Sequence, residues 1–189
     1  MKKTRIITEA ERYFEDVESD EMVELEEDLG ALNEESKTVK INGLEWMTTN
    51  LGDVGAVPLI EDDEEWEKVV RKGKPACCYY NNQRGKGVLY NWFALKHLEK
   101  GGWRIPTDEE WKTLPKDKQE FIDLGWNPQY GGYRDREGNF YDVGYSGHWW
   151  SATEYDTSRA WTRYLYYDEG NLYRSDNNKG WGFSVRLVK

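Results

Sequence analysis

The chain has 189 residues, a formal net charge of −10 and an aromatic content of 15%, including 10 Trp and 13 Tyr. This length suits one domain of about 150 residues with an appendage. No apolar run approaches the roughly 20 residues needed to cross a bilayer, so we expect no membrane insertion. The basic N-terminus lacks an apolar segment, so we expect no signal peptide and synthesis in the cytoplasm, with display on a virion or cell surface left open.

The N-terminal part of the chain is acidic. Residues 1–37 hold 13 acidic and 5 basic residues, which is −8, so the remaining −2 of the total −10 belongs to residues 38–189. In residues 7–36, Met22, Leu25, Leu29 and Leu32 follow a 3-4-3 spacing, which predicts an amphipathic helix. Three interpretations stay open: a helix docked on its own domain, a helix that mediates oligomers, or a solvated acidic tail.

A domain of different character is predicted for residues 38–189. It is nearly neutral and has no stripe of Lys and Arg, which disfavours nucleic-acid binding. Alternation in residues 38–41 and 44–47 around Asn42-Gly43 predicts a β-hairpin, and an irregular stretch is expected from there to Pro75. Residues 76–80 read as a short strand, on which Cys77 and Cys78 should face opposite sides as packed or half-exposed thiols.

Helical signals follow in the middle of the domain. Leu89, Trp92, Phe93 and Leu98 lie near helical spacing within residues 87–100, and Gly101-Gly102 would end that helix. A second helix is predicted from Asp108 to about Leu114, because Thr107 and Glu110 form a capping box. Beyond Phe121 the composition predicts loops and short strands. We expect five Trp residues to be core residues: Trp92, Trp103, Trp111, Trp149 and Trp150.

The C-terminal region predicts an exposed hairpin. Residues 162–167 and 172–174 flank Asp168-Glu169-Gly170, and Asn177-Asn178-Lys179-Gly180 reads as a turn. Alternation places Trp161 and Leu165 toward the core and Thr162, Tyr164 and Tyr166 toward solvent. Arg163 fits the inward face poorly, so it should have a carboxylate partner or a rim position. Tyr, Trp, Ser, Asn and Asp at this density are typical of a recognition surface.

Six segments resemble a known family when they are read in order. They are Val39–Leu51, Ala76–Asn82, Gly87–Phe93, Gly102–Trp111, Trp150–Glu154 and Ser184–Arg186. They look like the Fibrobacter succinogenes major paralogous domain, and the resemblance covers about residues 38–189. It implies an α+β architecture of the C-type lectin fold: two helices, a mixed and mostly antiparallel β core, and paired N- and C-terminal strands.

Within that superfamily, the region at about residues 150–183 is similar to the variable region of proteins diversified by retroelements. The resemblance implies a non-catalytic ligand-binding protein, without a cofactor or metal, that binds a protein or carbohydrate ligand, for example as a viral or phage receptor-binding protein. Fifteen residues form the predicted ligand site: Tyr155, Asp156, Ser158, Arg159, Thr162, Tyr164, Tyr166, Asn171, Tyr173, Arg174, Ser175, Asp176, Asn177, Asn178 and Trp181.

Two alternatives remain beside that hypothesis. One is a lectin-like or adhesion domain of fixed specificity, although the Glu-Pro-Asn, Gln-Pro-Asp and Trp-Asn-Asp signatures of calcium-dependent sugar binding do not occur. The other is an enzyme related to formylglycine-generating enzymes. Cys77 and Cys78 are adjacent and give no spaced redox pair, and neither His97 nor His148 belongs to a legible catalytic set. His148 is expected to rim the binding face.

Overall fold

Short strands in small antiparallel sheets, with short helices between them, make up the protein over residues 38–83 and 87–189, which are the residues that the computed structural model describes. The architecture there is mixed α+β. The predicted N-terminal helix in residues 7–36, and with it the acidic extension 1–37, lies outside the described residues. In the described part, no helix has the length and apolar character of a membrane span.

The predicted first hairpin is present, and it joins the two ends of the domain. Strands β1 (Thr38–Ile41) and β2 (Leu44–Met47) pair around Asn42 and Gly43, whose φ angles of 51° and 84° suit a tight hairpin turn. The other edge of β2 pairs with the C-terminus. Glu45 N donates to Lys189 O at 3.0 Å, and Met47 N donates to Leu187 O at 3.0 Å.

Helix α1 (Asp63–Arg71) occupies a stretch that we expected to be irregular, so that prediction was wrong. Asp62 caps the helix by accepting a hydrogen bond from Glu65 N at 2.8 Å. Acidic residues in its first turn and basic residues in its last turn suit the helix dipole. Trp66 and Val70, one turn apart, bury its apolar side. The acidic run is therefore the solvated start of an amphipathic helix.

Strands β3 (Cys77–Tyr79) and β4 (Val88–Tyr90) form the next antiparallel pair. Cys77 and Cys78 are fully buried in two different hydrophobic clusters, which agrees with their predicted opposite directions. The helix expected over residues 87–100 is instead strand β4 followed by the 3₁₀ helix Trp92–His97. Buried Asn91 explains the break, because its side-chain oxygen accepts hydrogen bonds from the backbone of both Ala76 and Ala94.

Helix α2 (Asp108–Lys112) has the predicted capping box, in which Thr107 and Glu110 bind each other's backbone amides. Arg104 adds a hydrogen bond to Glu110, and this bond is the largest reason why the pKa of Glu110 falls to about 2. Helix α3 (Lys118–Asp123) was not expected. It is capped by Asp117, which accepts from the amides of Gln119 and Glu120.

The C-terminal half carries the largest sheet. After the small pair β5 (Tyr133–Arg134) and β6 (Phe140–Tyr141), strands β7 (Ser146–Glu154), β8 (Arg159–Tyr166) and β9 (Tyr173–Asn178) lie in the order β7-β8-β9. The predicted β8–β9 hairpin is thus present, and β9 continues into the stretch expected to be a turn. Trp149 and Trp150 fill separate hydrophobic clusters, and Trp111 is also buried, whereas Trp92 and Trp103 are only partly buried, contrary to expectation.

Candidate ligand-binding surface

The register of the β8–β9 hairpin sorts the predicted site residues onto two sides. Tyr164 pairs with Tyr173, and Thr162 pairs with Ser175, so these residues share one side of the sheet. Arg163 pairs with Arg174, and Trp161 pairs with Asp176, so these residues share the other. The single patch that the sequence predicted is therefore two surfaces separated by the thickness of the sheet.

Seven aromatic side chains in mutual contact cover the first side. We call them the aromatic face: Tyr133, Tyr141, His148, Tyr164, Tyr166, Tyr173 and Trp181. Tyr133 stacks on Trp181 with ring centroids 5.3 Å apart, and Tyr164 stacks on Tyr173 at 5.1 Å. Tyr141 is exposed and the other six are half-buried, so one side of the array remains open to solvent.

His148 connects the two halves of the aromatic face. Its ring stacks on Tyr164 at 5.7 Å, meets the edge of Tyr133 at 5.0 Å, and lies against the fully buried Phe183 at 5.1 Å. Nε2 is 2.9 Å from Ser146 Oγ, whereas buried Nδ1 has no hydrogen-bond partner among the described residues. Burial lowers the pKa of His148 to about 4, so the ring is neutral at pH 7.

Thr162 was expected to face solvent, and that expectation was wrong: its exposed fraction is 0%. Its hydroxyl donates to Ser175 O at 3.1 Å and accepts from Asn177 Nδ2 at 2.8 Å. The neighbour of Thr162 on β7 is the fully buried Trp150. A short side chain beside that large ring lies below the surface, so Thr162 ties the two strands together under the aromatic face.

The second side is held by charge. We call it the charged side, and its centre is Asp108, which is 3% exposed on α2. Asp108 accepts hydrogen bonds from buried Arg163 at 2.8 Å and from Arg174 at 2.8 Å, and Lys112 Nζ is 3.1 Å away. Burial alone would raise the pKa of Asp108, but these three cations outweigh it and hold the pKa well below its usual value. The expected carboxylate partner of Arg163 is confirmed.

Trp161 is half-buried on the charged side and was wrongly expected to be a core residue. The guanidinium carbon of Arg174 lies 3.2 Å from the centroid of its ring, and Tyr155 meets it edge-on at 4.8 Å. An arginine and a tyrosine thus cover the Trp161 ring, which was expected to pack in the hydrophobic core.

Arg159 organises the rim of the charged side. It pairs with Asp156 and Asp176, each at 2.7 Å, and lies over the Tyr155 ring at 4.4 Å. Asp156 also accepts from the amides of Ser158 and Arg159, which fixes the loop between β7 and β8. The charged side therefore gathers six of the predicted site residues: Tyr155, Asp156, Ser158, Arg159, Arg174 and Asp176.

The remaining predicted residues are spread around these two surfaces. Asn171 is exposed just before β9 and forms an isolated antiparallel bridge with Asp117. Asn178 is half-buried at the end of β9, and its side-chain oxygen accepts from Gly180 N at 2.9 Å. Sequence reasoning missed Tyr133 and Tyr141, which face each other across the β5–β6 hairpin. The signal that indicates this hairpin is Asp135-Arg136-Glu137-Gly138, a turn sequence flanked by aromatic residues.

Comparison with known families identifies the domain type of the first part of the domain. Residues 39–123 match the family model of the Fibrobacter succinogenes major domain, so this segment is of that domain type. A search of curated proteins gives no match. The matched segment contains α2 with Asp108, whereas every ring of the aromatic face lies C-terminal to it.

Proposed function

We propose that this protein is a non-catalytic ligand-binding protein of the C-type lectin fold, and that the aromatic face is its main ligand-binding surface. The observation that supports this proposal most strongly is the continuous set of seven contacting rings with one side open to solvent. Large exposed aromatic patches mark interaction sites, because Tyr and Trp offer broad contact area at a small cost in side-chain entropy.

The pairing of the domain's two ends supports the proposed fold. Strand β2 is hydrogen-bonded to the C-terminal residues 187 and 189, as the paired terminal strands of the C-type lectin fold would require. The match of residues 39–123 to the Fibrobacter succinogenes major domain, for which the C-type lectin fold is expected, further supports the proposed fold.

The state of the ionisable groups supports recognition over catalysis. Burial raises the pKa of Cys77 to about 12 and that of Cys78 to about 11, so neither thiol forms the reactive thiolate at neutral pH. Among the described residues, His148 contacts aromatic rings and a serine hydroxyl rather than a carboxylate that would orient it as a base.

We further propose that a retroelement diversifies this surface. Four of the seven rings, Tyr164, Tyr166, Tyr173 and Trp181, lie in the segment that resembles such variable regions. The fixed-specificity alternative is favoured by one observation, which is the mutual bonding of Thr162, Ser175 and Asn177 beneath the face, because interlocked residues tolerate change poorly. Sequencing around the gene separates the two: diversification requires a reverse-transcriptase gene and a near-copy of the 3′ end that differs at adenines.

A display library tests the binding surface directly. We would randomise Tyr164, Tyr166, Tyr173 and Trp181 in the full chain, and in a matched control library the buried residues Trp111, Trp149, Phe183 and Val185. The proposal expects the first library to remain largely folded and to yield binders to several unrelated protein targets, and the second to be mostly unfolded. If the first library unfolds as often as the second, or yields no binder, the aromatic face is not a recognition surface.

A further inference from the structure

We infer that a groove between α2 and β9 is a second recognition site that binds an acidic peptide segment, which goes beyond the proposed role of the aromatic face. The groove encloses about 610 Å³ and lies on the charged side of the hairpin. Its polar lining is Lys112, Lys116, Arg163, Asn171 and Arg174.

The lining of the groove carries more positive than negative charge. Lys112, Lys116, Arg163 and Arg174 line it, and no carboxylate does so among the described residues. Asp108 and Glu109 pair with Lys112, Arg163 and Arg174. Two further carboxylates lie at the margin of the groove, because Glu169 is hydrogen-bonded to Tyr173 and Asp176 acts on Arg174. The whole chain carries −10, so this cationic lining is a local property of the groove and not a general one of the protein.

Two of the cations have donors to spare. Arg174 uses Nε and Nη2 on Asp108, and its Nη1 makes no hydrogen bond within the described residues. Lys116 is exposed and has no ion-pair partner among the described residues. Because Trp161 and Asp108 fix the Arg174 guanidinium in place, a ligand carboxylate would lose little entropy in ordering it.

The floor of the groove indicates which acidic partner fits. Leu114, Pro115 and Leu172 provide aliphatic contacts, and Tyr173, whose ring stacks on Tyr164 in the aromatic face, borders one end. Saccharides are bound by stacking on flat aromatic rings, whereas aliphatic side chains of a peptide bury against Leu and Pro. These features favour a peptide that carries both carboxylate and aliphatic side chains.

Fluorescence anisotropy with the full chain tests this inference. The probe is a labelled synthetic peptide of alternating Glu and Leu, and the comparison peptide alternates Gln and Leu. We expect the acidic peptide to bind more tightly by about tenfold or more, and its affinity to fall as salt is added, because salt screens exposed charges. Equal binding of the two peptides, or no binding of either, would overturn the inference.

Matched charge reversals locate the binding. Lys116→Glu should weaken binding of the acidic peptide by about tenfold or more, because it replaces an attraction at the groove with a repulsion. Lys96→Glu is the control, since Lys96 is also exposed but lines a different cavity. Equal effects of the two reversals would rule out the groove, and so would binding of a sulfated heparin fragment without binding of the peptide.

The Tyr164→Ser variant keeps this inference separate from the proposed function. Tyr164 is on the aromatic face and does not line the groove. Peptide binding that survives Tyr164→Ser and is lost in Lys116→Glu supports the groove, whatever the display library gives. Loss in Tyr164→Ser with retention in Lys116→Glu assigns the peptide to the aromatic face and overturns the groove.

Discussion

The aromatic face and the charged side belong to the same β8–β9 hairpin, but different forces hold them. On the aromatic face, half-buried rings touch one another, and each pair contributes a small stacking energy. On the charged side, one buried carboxylate holds two arginines and a lysine. Rings can be exchanged for other side chains without leaving a charge unpaired, whereas the charged side depends on every partner. The residues of the aromatic face can therefore vary, whereas those of the charged side must be kept.

Removing the central carboxylate should have the largest effect on stability. Asp108→Asn leaves Arg163, whose side chain is 3% exposed, without an anionic partner in the interior. Breaking a buried pair in this way costs about 3–5 kcal/mol, so urea unfolding at pH 7 should show a loss of that size.

The matched control for Asp108→Asn is Glu109→Gln. Glu109 is the next residue of the helix and also pairs with Lys112, but its side chain is 82% exposed. Exposed ion pairs contribute about 1 kcal/mol or less, so the control should remain close to the parent protein. If both variants lose the same small amount, the charged side does not have the stabilising role that we assign to it.

A pH dependence should arise on the aromatic face from His148. Its pKa falls from the unfolded value of 6.5 to about 4 in the folded protein, because burial disfavours the protonated ring. The folded state then binds fewer protons than the unfolded state, so stability is complete above pH 6.5 and falls as the pH drops toward 4. Between pH 7 and 4.5 the loss assigned to this ring is about 2–3 kcal/mol.

The variant His148→Gln isolates that contribution from the protonation of carboxylates. Urea unfolding of parent and variant at pH 7 and 4.5 gives two pH-dependent losses, and the loss in the variant should be smaller by the amount assigned to His148. The groups that surround the ring, Ser146, Tyr133, Tyr164 and Phe183, carry no charge over this pH range. Identical losses would place the pH dependence elsewhere.

Local signals in the sequence were sufficient for several elements. Asn42-Gly43 predicted the first hairpin, and the Thr107–Glu110 capping box predicted α2, because both signals act within a few residues. The position of Tyr164 on the side of β8 opposite Leu165 also followed from alternation. The need of Arg163 for a carboxylate was predictable from the cost of burying a charge, although alternation could not identify Asp108 as the partner.

Other features depend on contacts between distant parts of the chain. Arg186 is fully buried and donates to the carbonyls of Thr48 and Asn127, an arrangement that no spacing in the sequence indicates. Trp161 reads as a core residue by alternation, yet the side chain that covers it is Arg174 from the next strand. Tyr133 joins the aromatic face only because β5 lies beside β7 in the fold.

The smallest expected effect concerns a single ring of the aromatic face. Tyr173→Ser removes the stack on Tyr164 and should cost about 0.5–1.5 kcal/mol, which lowers the melting temperature by a few degrees in a domain of this size. Tyr173→Phe keeps the ring and loses only the hydrogen bonds of the hydroxyl to Glu169 and Asn171, so it should lie closer to the parent protein than Tyr173→Ser. In a double-mutant cycle with Tyr164→Ser, the coupling energy should equal most of the loss in Tyr173→Ser. A coupling near zero would mean that the rings lie side by side without stabilising each other, and a loss above about 3 kcal/mol would make Tyr173 a core residue, so that it could not vary freely on a recognition surface.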